Sequence, residues 1–204
     1  MSNSTQGRKY HHGSLESTVI ETARAHIEAR GVESLSLREI AREIGVSPNA
    51  PYRHFPSKED LLVAILQHGM NELYERLLVA RQRGGLDEIG EEYVRFALDH
   101  PGLFRVMFSG RYGSESSTDE DFCMQPGDPF LVLMDAVAER AGMELTEENL
   151  LQNPDLKDMG IACWTLVHGV AMLQLERDMW EKVIEMPPVR RLFDMIASLA
   201  NRRG

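Results

Sequence analysis

Hydrogen-bonding side chains are concentrated in one short segment of the sequence, between Ser47 and Lys58. The phenol of Tyr52, the imidazole of His54 and the ammonium of Lys58 can each donate a hydrogen bond to a phosphate oxygen. Asn49 carries a carboxamide, which can form paired hydrogen bonds with the edge of a base. Together these groups have the chemistry of nucleic-acid recognition. The alternative is that Tyr52 and His54 pack against a neighbouring helix.

The residues before this segment predict a helix of two turns. Apolar residues recur at helical spacing from Leu37 to Ile44. Ser36 and Glu39 form the pattern of a capping box, in which the serine hydroxyl accepts the N3 amide and the glutamate bonds back to the cap. Gly45 then ends the helix.

A third helix is predicted directly after this turn. Ser47-Pro48 is typical of a helix start, with an N-cap serine followed by proline at the first helical position. Pro56 limits the helix to about Phe55, and Pro51 removes one backbone donor, so regular structure is expected to begin near Asn49 or Ala50. Two short helices joined by a three-residue turn form the helix-turn-helix pattern.

Two longer helices are expected to cover this pair. Leu15, Val19, Ala23 and Ile27 recur every four residues, and Gly31 follows them. Another helix is predicted to open at Ser57-Lys58-Glu59-Asp60 and to continue to about Arg83, before Gly84-Gly85. The chain therefore reads as helical from the start.

The overall composition is typical of a globular protein, with 204 residues, 43% hydrophobic and 26% charged, and a net charge of -10. Residues 1–60 hold 8 basic and 8 acidic side chains, so the whole acidic excess lies in residues 61–204. The first part of the chain is therefore the part able to approach a polyanion. The two cysteines, 40 residues apart, form neither a disulfide framework nor a zinc motif.

Residues Tyr10 to about Met70 resemble the DNA-binding domain of the tetracycline-repressor (TetR) family of bacterial transcription factors. The matching motifs are Ser36-Leu37-Arg38-Glu39-Ile40-Ala41, Gly45-Val46-Ser47, Tyr52-Arg53-His54-Phe55 and Ser57-Lys58-Glu59-Asp60-Leu61-Leu62. Tyr10-His11-His12-Gly13 resembles a stretch of one subgroup. Trp164-Thr165-Leu166-Val167-His168-Gly169 is similar to the W-x-x-x-H-G signature of that subgroup's C-terminal domain. Pro51 departs from the small or aromatic residues that are commoner at its position.

The resemblance implies an all-α homodimer that binds an inverted-repeat operator in double-stranded DNA. The three-helix DNA-binding domain would span residues 10–70, with the helix-turn-helix at about 36–55, and a helical ligand-binding and dimerisation domain would span residues 84–204. By position in the family, the side chains expected at phosphates are Ser36, Arg38, Tyr52, His54 and Lys58. Those expected at or near bases are Asn49, Ala50 and Pro51, with Ser47 at the start of the helix. Arg8 and Lys9 would reach the backbone or the minor groove as a basic arm.

The second domain is expected to hold a small apolar effector. Nine of the eleven methionines lie beyond residue 100, and methionine suits adaptable apolar pockets as well as ordinary cores. Trp164 and His168 lie four residues apart, on one helix face. The candidate pocket residues are Phe104, Met107, Phe108, Phe130, Met134, Trp164, His168 and Met172. The alternative is a packed core that contains a hydrogen-bonded histidine.

The last helix carries an apolar stripe that either closes the core of the protomer or pairs with a second copy. The stripe consists of Val189, Leu192, Phe193, Ile196, Leu199 and Ala200. In the TetR family the last two helices of each subunit form a four-helix dimer interface. We therefore expect these residues at a homodimer interface.

Other functions find little support in the sequence. Nucleophile elbows, zincin motifs, dinucleotide-binding loops and P-loops do not occur in the sequence, so neither enzymatic activity nor a cofactor is expected. His11-His12 and His100 lack the spacing of a metal site. The longest uncharged run, Met159 to Leu175, has 17 residues and is interpreted as a helix buried in protein, which favours a cytoplasmic location. A helical module that uses its helix-turn-helix for protein contacts remains the alternative function.

Overall fold

The chain is described here by a computed structural model that covers residues 15–110, 127–176 and 187–200, without the side chains of residues 147 and 195–200. Within these ranges every regular element is helical, so the expected all-α fold is confirmed. The helices are α1 (Leu15–Arg30), α2 (Leu37–Glu43), α3 (Lys58–Asp99), α4 (Pro101–Met107), α5 (Pro129–Arg140), α6 (Glu147–Gln152), α7 (Pro154–Leu175) and α8 (Val189–Ala200). The chain divides into two compact units between Ile65 and Leu66.

The first unit is built from α1, α2 and the start of α3. The predicted apolar stripe of α1 packs inside, where Val19 and Ala23 have no exposed surface and Ile27 has almost none. Ile40 and Ala41 of α2 are fully buried as well, because the small side chain of Ala41 allows a close helix contact. The turn after α2 depends on Gly45, whose φ of 74° is strained for other residues.

The third helix of the helix-turn-helix is shorter than predicted. In place of a regular α-helix from Ser47 to Phe55, the chain forms turns that end in a single 3-10 turn at Pro51–Arg53. The cause is local, because Pro51 has no N–H to donate to the carbonyl of Ser47. That carbonyl instead accepts from the Ala50 N–H at 2.9 Å, three residues on.

The capping pattern at α2 is also only partly realised. Ser36 is the N-cap, but its side chain forms no cap hydrogen bond. Glu39 bonds instead to Arg30 of α1, at 3.0 Å between Oε1 and Nη1. The expected capping box at α2 was therefore wrong, because an arginine on the neighbouring helix takes the carboxylate.

The start of α3 has the cap that α2 lacks. The Asp60 carboxylate accepts hydrogen bonds from the backbone N–H of Ser57 at 2.9 Å and from its hydroxyl at 2.7 Å. The Ser57 hydroxyl oxygen in turn accepts from the Asp60 N–H at 3.1 Å. This reciprocal arrangement confirms the predicted helix start.

Helix α3 changes direction at Gly84-Gly85, where the predicted break occurs. Gly85 has a φ of 65°, and both glycines depart from helical geometry. The break gives α3 two arms, which we call the first arm (58–83) and the second arm (86–99). Because Ile65 and Leu66 both lie on the first arm, that arm is the segment in which one unit ends and the other begins.

The second unit packs α4, α5, α7 and α8 around the second arm of α3. Phe96 and Phe104 are fully buried, and so is Met134 of α5. Gly160 allows α7 to approach α5, since a β-carbon there would collide with the Met134 sulfur. The short helix α6 was not predicted, and Thr146 caps it by accepting from the Asn149 N–H at 3.1 Å.

Helix α7 was expected to be buried in protein, but most of it is not buried within the protomer. Among the described helices, α7 is the one long and apolar enough to cross a membrane by length and composition. Only 22% of its most apolar window is buried in the structure. Ile161 and Leu173 are 42% and 40% exposed. An apolar face of α7 is therefore left uncovered by the described residues of the chain.

Candidate functional site

The first unit presents polar side chains at its surface where DNA contacts were predicted. Ser36, Arg38, Ser47, Asn49, Tyr52 and His54 are exposed, whereas Ala50 and Lys58 are half-buried. Tyr52 is 39% exposed although it is a large aromatic residue. Phe55 is buried beneath this segment. The hydrogen-bonding side chains of this segment are therefore available to a ligand, whereas its apolar side chain is in the core.

Pro51 does not belong to this surface. The residue is buried in the first unit. The expectation that it faces bases is therefore wrong, because its ring packs inward at the start of the 3-10 turn. Asn49, which is exposed, remains the candidate for base contact, together with the half-buried Ala50.

Two of the candidate phosphate ligands have partners within the first unit. His54 Nδ1 lies 3.7 Å from the Glu16 carboxylate of α1, which keeps the exposed ring next to a negative charge. Lys58 Nζ donates to the backbone carbonyl of Glu33 at 3.4 Å. Neither contact buries the group completely, so both can exchange these partners for a phosphate.

A group of potential metal ligands also lies in the first unit. One ligand atom from each of His26, Glu39 and Glu43 falls within 4.8 Å of the others. Arg30 Nη1, however, lies 3.0 Å from Glu39 Oε1 and 3.7 Å from Glu43 Oε1. A guanidinium already neutralises these carboxylates, so we interpret the group as an ion-pair network between α1 and α2.

The predicted effector residues of the second unit form an aromatic cluster around His168. The imidazole stacks on Phe104 at 5.6 Å between ring centroids, and the rings of Phe108 and Trp164 lie 4.9 Å and 5.4 Å away. Phe130 extends the cluster through an edge contact with Trp164 at 6.2 Å. Five of the eight predicted residues are thus brought together.

Contacts with other residues are described for two of the three methionines of that prediction. Met134 packs against Gly160, and Met107 packs where a β-carbon on Gly69 would come within 2.9 Å of its sulfur. Met172 is half-buried on α7. Met107 and Met134 are buried core residues, as the alternative interpretation of the methionines held.

Tyr93 is a member of the aromatic cluster that sequence analysis did not identify. Its hydroxyl lies 2.9 Å from His168 Nδ1, although the two residues are 75 positions apart. Burial raises the pKa of the Tyr93 phenol, an effect that a hydrogen bond with the Trp164 indole partly offsets. Burial also lowers the pKa of His168. Both groups are therefore neutral near pH 7.

The residues predicted at a dimer interface divide into two groups. Val189 and Phe193 are buried within the protomer, where a β-carbon on Gly90 would come within 2.7 Å and 2.9 Å of their side chains. They close the core of the protomer, which was the alternative function of the stripe. Leu192 is half-buried. The side chains of Ile196, Leu199 and Ala200 lie outside the described part of the chain, as do Arg8 and Lys9.

These features define a helical protein with a helix-turn-helix unit followed by a separate helical unit. Residues 19–65 match the TetR family of bacterial regulatory proteins, and residues 86–199 match a tetracycline-repressor-like C-terminal domain. The chain belongs to the TetR family, whose members are DNA-binding transcriptional regulators. Neither match tests the W-x-x-x-H-G subgroup, which stays a prediction.

Individual proteins are similar to part or all of the chain. Over 83 residues the chain is 32% identical to the nucleoid occlusion factor SlmA of Haemophilus influenzae (strain PittGG), and the match covers 38% of each chain. The chain thus spans little more than a third of the length of this relative. A protein of unknown function from Rhodococcus sp. RHA1 shares the fold with a TM-score of 0.70 at 24% identity, covering 94% of this chain and 96% of its own. A TetR variant from Acinetobacter baumannii AYE, solved in complex with minocycline, has a TM-score of 0.55 at 20% identity, covering 92% and 97%.

Proposed function

We propose that the protein is a sequence-specific, DNA-binding transcriptional regulator. The observation that carries this proposal is the surface of the first unit, where six polar side chains predicted to contact DNA are exposed around a buried apolar core. Ser36, Arg38, Tyr52, His54 and Lys58 would contact phosphates, and Asn49 with Ala50 would contact bases. The basic residues Arg8 and Lys9 stay a predicted arm.

The proposed DNA contacts can be tested by fluorescence anisotropy with the protein's own upstream DNA and a scrambled duplex of equal length, across a salt series. We expect tight binding that is selective for the upstream DNA and that weakens as salt rises. Arg38→Ala should weaken binding to both duplexes and reduce the salt slope by about 1. Asn49→Ala should reduce selectivity, at a cost of about 1 to 3 kcal/mol on the upstream DNA.

Arg140→Ala is the matched control, because Arg140 is an exposed arginine on α5 of the second unit. Its removal should leave both affinities unchanged. Equal affinity for the two duplexes, repeated after the protein has been unfolded and refolded to remove co-purified ligand, would contradict the proposal. That result would favour a helix-turn-helix used for protein contacts.

We also propose that the regulator is a homodimer that buries the uncovered face of α7. A single short recognition segment buries too little surface for tight binding, and two-fold symmetry doubles the contacts on an inverted repeat. The exposed positions Ile161, Thr165 and Leu173 lie on one side of α7, together with Gly169, whose α-carbon faces open space. Covering this apolar face against a second copy removes it from water.

The aromatic cluster of the second unit is the proposed effector site. A bound effector would lower DNA affinity only if it binds the form that is unable to bind DNA more tightly than the competent form. Helix α3 is the covalent path between the two units, so a shift of its first arm is the simplest way to convey the signal. Equal effector affinity for the free and the operator-bound protein would contradict this mechanism.

A regulator of this kind has no need for catalysis or a cofactor. We therefore propose that the protein is not an enzyme. Its proposed partner is chromosomal DNA, which favours the cytoplasm as its location. We therefore propose that a second protomer, and not a membrane, covers the apolar face of α7. Repression, with release by a small apolar effector, is the proposed mode of regulation.

A further inference from the structure

The hydrogen bond between Tyr93 and His168 determines which nitrogen of the imidazole carries the proton. Tyr93 is only 4% exposed, and a buried phenol O–H needs an acceptor. The Trp164 indole N–H can only donate to the phenol oxygen, so the described acceptor for the phenol proton is His168 Nδ1, at 2.9 Å. If Nδ1 carried the proton, the Tyr93 O–H would lose this acceptor. The phenol therefore donates to Nδ1, and the proton of the neutral imidazole is on Nε2.

This arrangement leaves the described aromatic cluster one unused hydrogen-bond donor, on His168. In the described part of the chain, no residue forms a hydrogen bond with His168 Nε2, and the imidazole is only half-buried. Its neighbours are the rings of Phe104, Phe108 and Trp164, which supply no other acceptor. Because the Trp164 indole N–H is already bonded to the Tyr93 oxygen, Nε2–H of His168 is the N–H donor that the described part of the cluster leaves unused.

Charge is missing from the same surroundings. Within the described ranges, no charged side chain forms a hydrogen bond or ion pair with Tyr93 or His168. From Met159 to Leu175 the sequence of α7 contains no Asp, Glu, Lys or Arg. An anionic ligand would lose its hydration here without gaining a cationic partner. A cationic ligand would face the N–H donor with no carboxylate to compensate.

The rings fill the site in the present conformation. Their centroids lie 4.7 to 6.3 Å apart, which is direct contact between aromatic side chains. Phe104 and Tyr93 are buried, whereas Phe108 and Trp164 are only half-buried. The rings of Phe108 and Trp164 can therefore move towards solvent. An aromatic ligand inserted between Phe108 and Trp164 would replace a contact between two side-chain rings by contacts with its own ring. The lost ring contacts would thus be offset.

We propose that the effector is a neutral aromatic compound with an oxygen acceptor, such as a ketone, that accepts a hydrogen bond from Nε2–H of His168. This inference rests on the proposed function, in which the cluster is the effector site. It narrows the effector from an apolar molecule to one with a carbonyl or similar acceptor next to its ring. Tyr93 is a positioning residue, because it acts on the ligand through His168.

Three probes of nearly equal size distinguish a ligand with a neutral acceptor from a purely apolar ligand and from an anionic ligand. Acetylnaphthalene carries a neutral acceptor, isopropylnaphthalene carries none, and naphthoate carries a charge. Isothermal titration calorimetry on the full-length protein should give a dissociation constant about tenfold lower for acetylnaphthalene than for the other two, since one such hydrogen bond contributes about that factor. Tighter binding of naphthoate or isopropylnaphthalene, or no binding by any of the three, overturns the inference.

Variants then locate the donor. His168→Phe should raise the dissociation constant of acetylnaphthalene about tenfold, to that of isopropylnaphthalene. Tyr93→Phe should reduce the ratio of the two dissociation constants, because the imidazole loses the bond that fixes its tautomer and orientation. Tyr74→Phe is the matched control, as Tyr74 lies on the first arm of α3 outside the cluster, and it should leave the ratio unchanged. An unchanged ratio in His168→Phe overturns the inference even if acetylnaphthalene binds.

The effector chemistry and the proposed regulator function are tested by separate experiments, so the failure of one can be distinguished from the failure of the other. Calorimetry with the probes needs no DNA, and the anisotropy titration with upstream DNA needs no probe. Selective DNA binding without the preference for acetylnaphthalene overturns only the effector chemistry. The preference for acetylnaphthalene without selective DNA binding supports the donor and overturns the regulator function.

Discussion

Two serines occupy N-cap positions in the first unit, and only one of them caps with its side chain. Ser57 exchanges hydrogen bonds with Asp60, whereas the Ser36 side chain makes no cap bond. Ser57→Ala should therefore lower the free energy of unfolding by about 1 kcal/mol. Ser36→Ala should change it little and should instead weaken DNA binding. Urea unfolding followed by circular dichroism measures the first effect, and anisotropy measures the second.

The comparison between these two alanine variants is internally controlled. Both remove one hydroxyl from a helix start in the same unit. An equal loss of stability in Ser36→Ala would mean that its hydroxyl caps α2 in solution. The proposed role of Ser36 at a phosphate would then lose its structural support.

His168 should make stability depend on pH. Because burial lowers its pKa below the ordinary 6.5, the unfolded chain binds a proton more readily than the folded one. The stabilisation from the neutral imidazole is complete above about pH 6.5 and is lost as the pH falls from there through the lowered pKa. Urea unfolding of the wild type and of His168→Phe between about pH 5 and pH 8 measures this difference. Parallel pH profiles would contradict it.

The residues of the candidate sites were only partly predictable. Exposure of Tyr52 and burial of Phe55 follow from the local pattern, because both lie in a short polar segment with one apolar anchor. Burial of Pro51 does not, since it depends on how a 3-10 turn replaces the expected helix. Tyr93 was not identified from the sequence. Its bond to His168 joins residues 75 positions apart, and helical periodicity carries no information on such pairs.

At the scale of the elements, a buried carboxylate holds the two arms of α3 together. Glu92 of the second arm has a side chain only 6% exposed and accepts from Arg76 of the first arm at 2.6 Å. Arg95 also bonds to it, and Arg83 lies 3.6 Å away. A buried anion surrounded by guanidinium groups is costly to leave incomplete. These contacts therefore join the arms on both sides of Gly84-Gly85.

Glu92→Gln should lower the free energy of unfolding by about 1 to 3 kcal/mol, because it replaces the buried carboxylate that accepts from these arginines by a neutral group. Asp99→Asn is the control, since Asp99 also bonds to Arg76, at 2.8 Å, but is 48% exposed. Its loss should cost less than about 1 kcal/mol. Urea unfolding of both variants at one protein concentration measures the difference. Similar losses in the two would show that burial of Glu92 is not what gives the contact its strength.

Helix boundaries were predictable at Gly45 and at Gly84-Gly85, but not in the proline-containing segment from Ser47 to Phe55. Gly45 and Gly84-Gly85 each end or interrupt a helix at the expected place, because the backbone preference of glycine acts locally. The short helix α6 was missed, since six residues carry too little periodicity to be recognised. The ion pair between Arg30 and Glu39, which removed the capping box from α2, depends on how α1 packs on α2.

At the scale of the whole molecule, α7 has an apolar face that the described residues of one protomer do not cover. The sequence predicted the helix from its lack of charge and predicted a dimer from the stripe of α8. In the structure, Val189 and Phe193 of that stripe are buried in the protomer, while Ile161 and Leu173 of α7 are exposed. An amphipathic pattern shows that a face is covered, but it does not distinguish a neighbouring helix from a second copy. We therefore propose that the interface lies mainly on α7.

Gly169→Arg tests this interface without disturbing the protomer. A β-carbon at Gly169 meets nothing within 4 Å, so the arginine can project from α7 into solvent. In a dimer through this face it would bury an unpaired charge, which is strongly unfavourable. Light scattering coupled to size exclusion should give twice the mass of one chain for the wild type and a single-chain mass for the variant.

Val79→Arg is the control for an added charge, because Val79 is 53% exposed but lies on the first arm of α3. It should keep the dimeric mass. Circular dichroism should show that both variants remain helical, so that a change in mass reports association and not unfolding. Gly169→Arg should also lose tight binding to the inverted repeat, because each protomer then meets a single half-site. A Gly169→Arg protein that stays dimeric would show that α7 is covered by something other than its own copy.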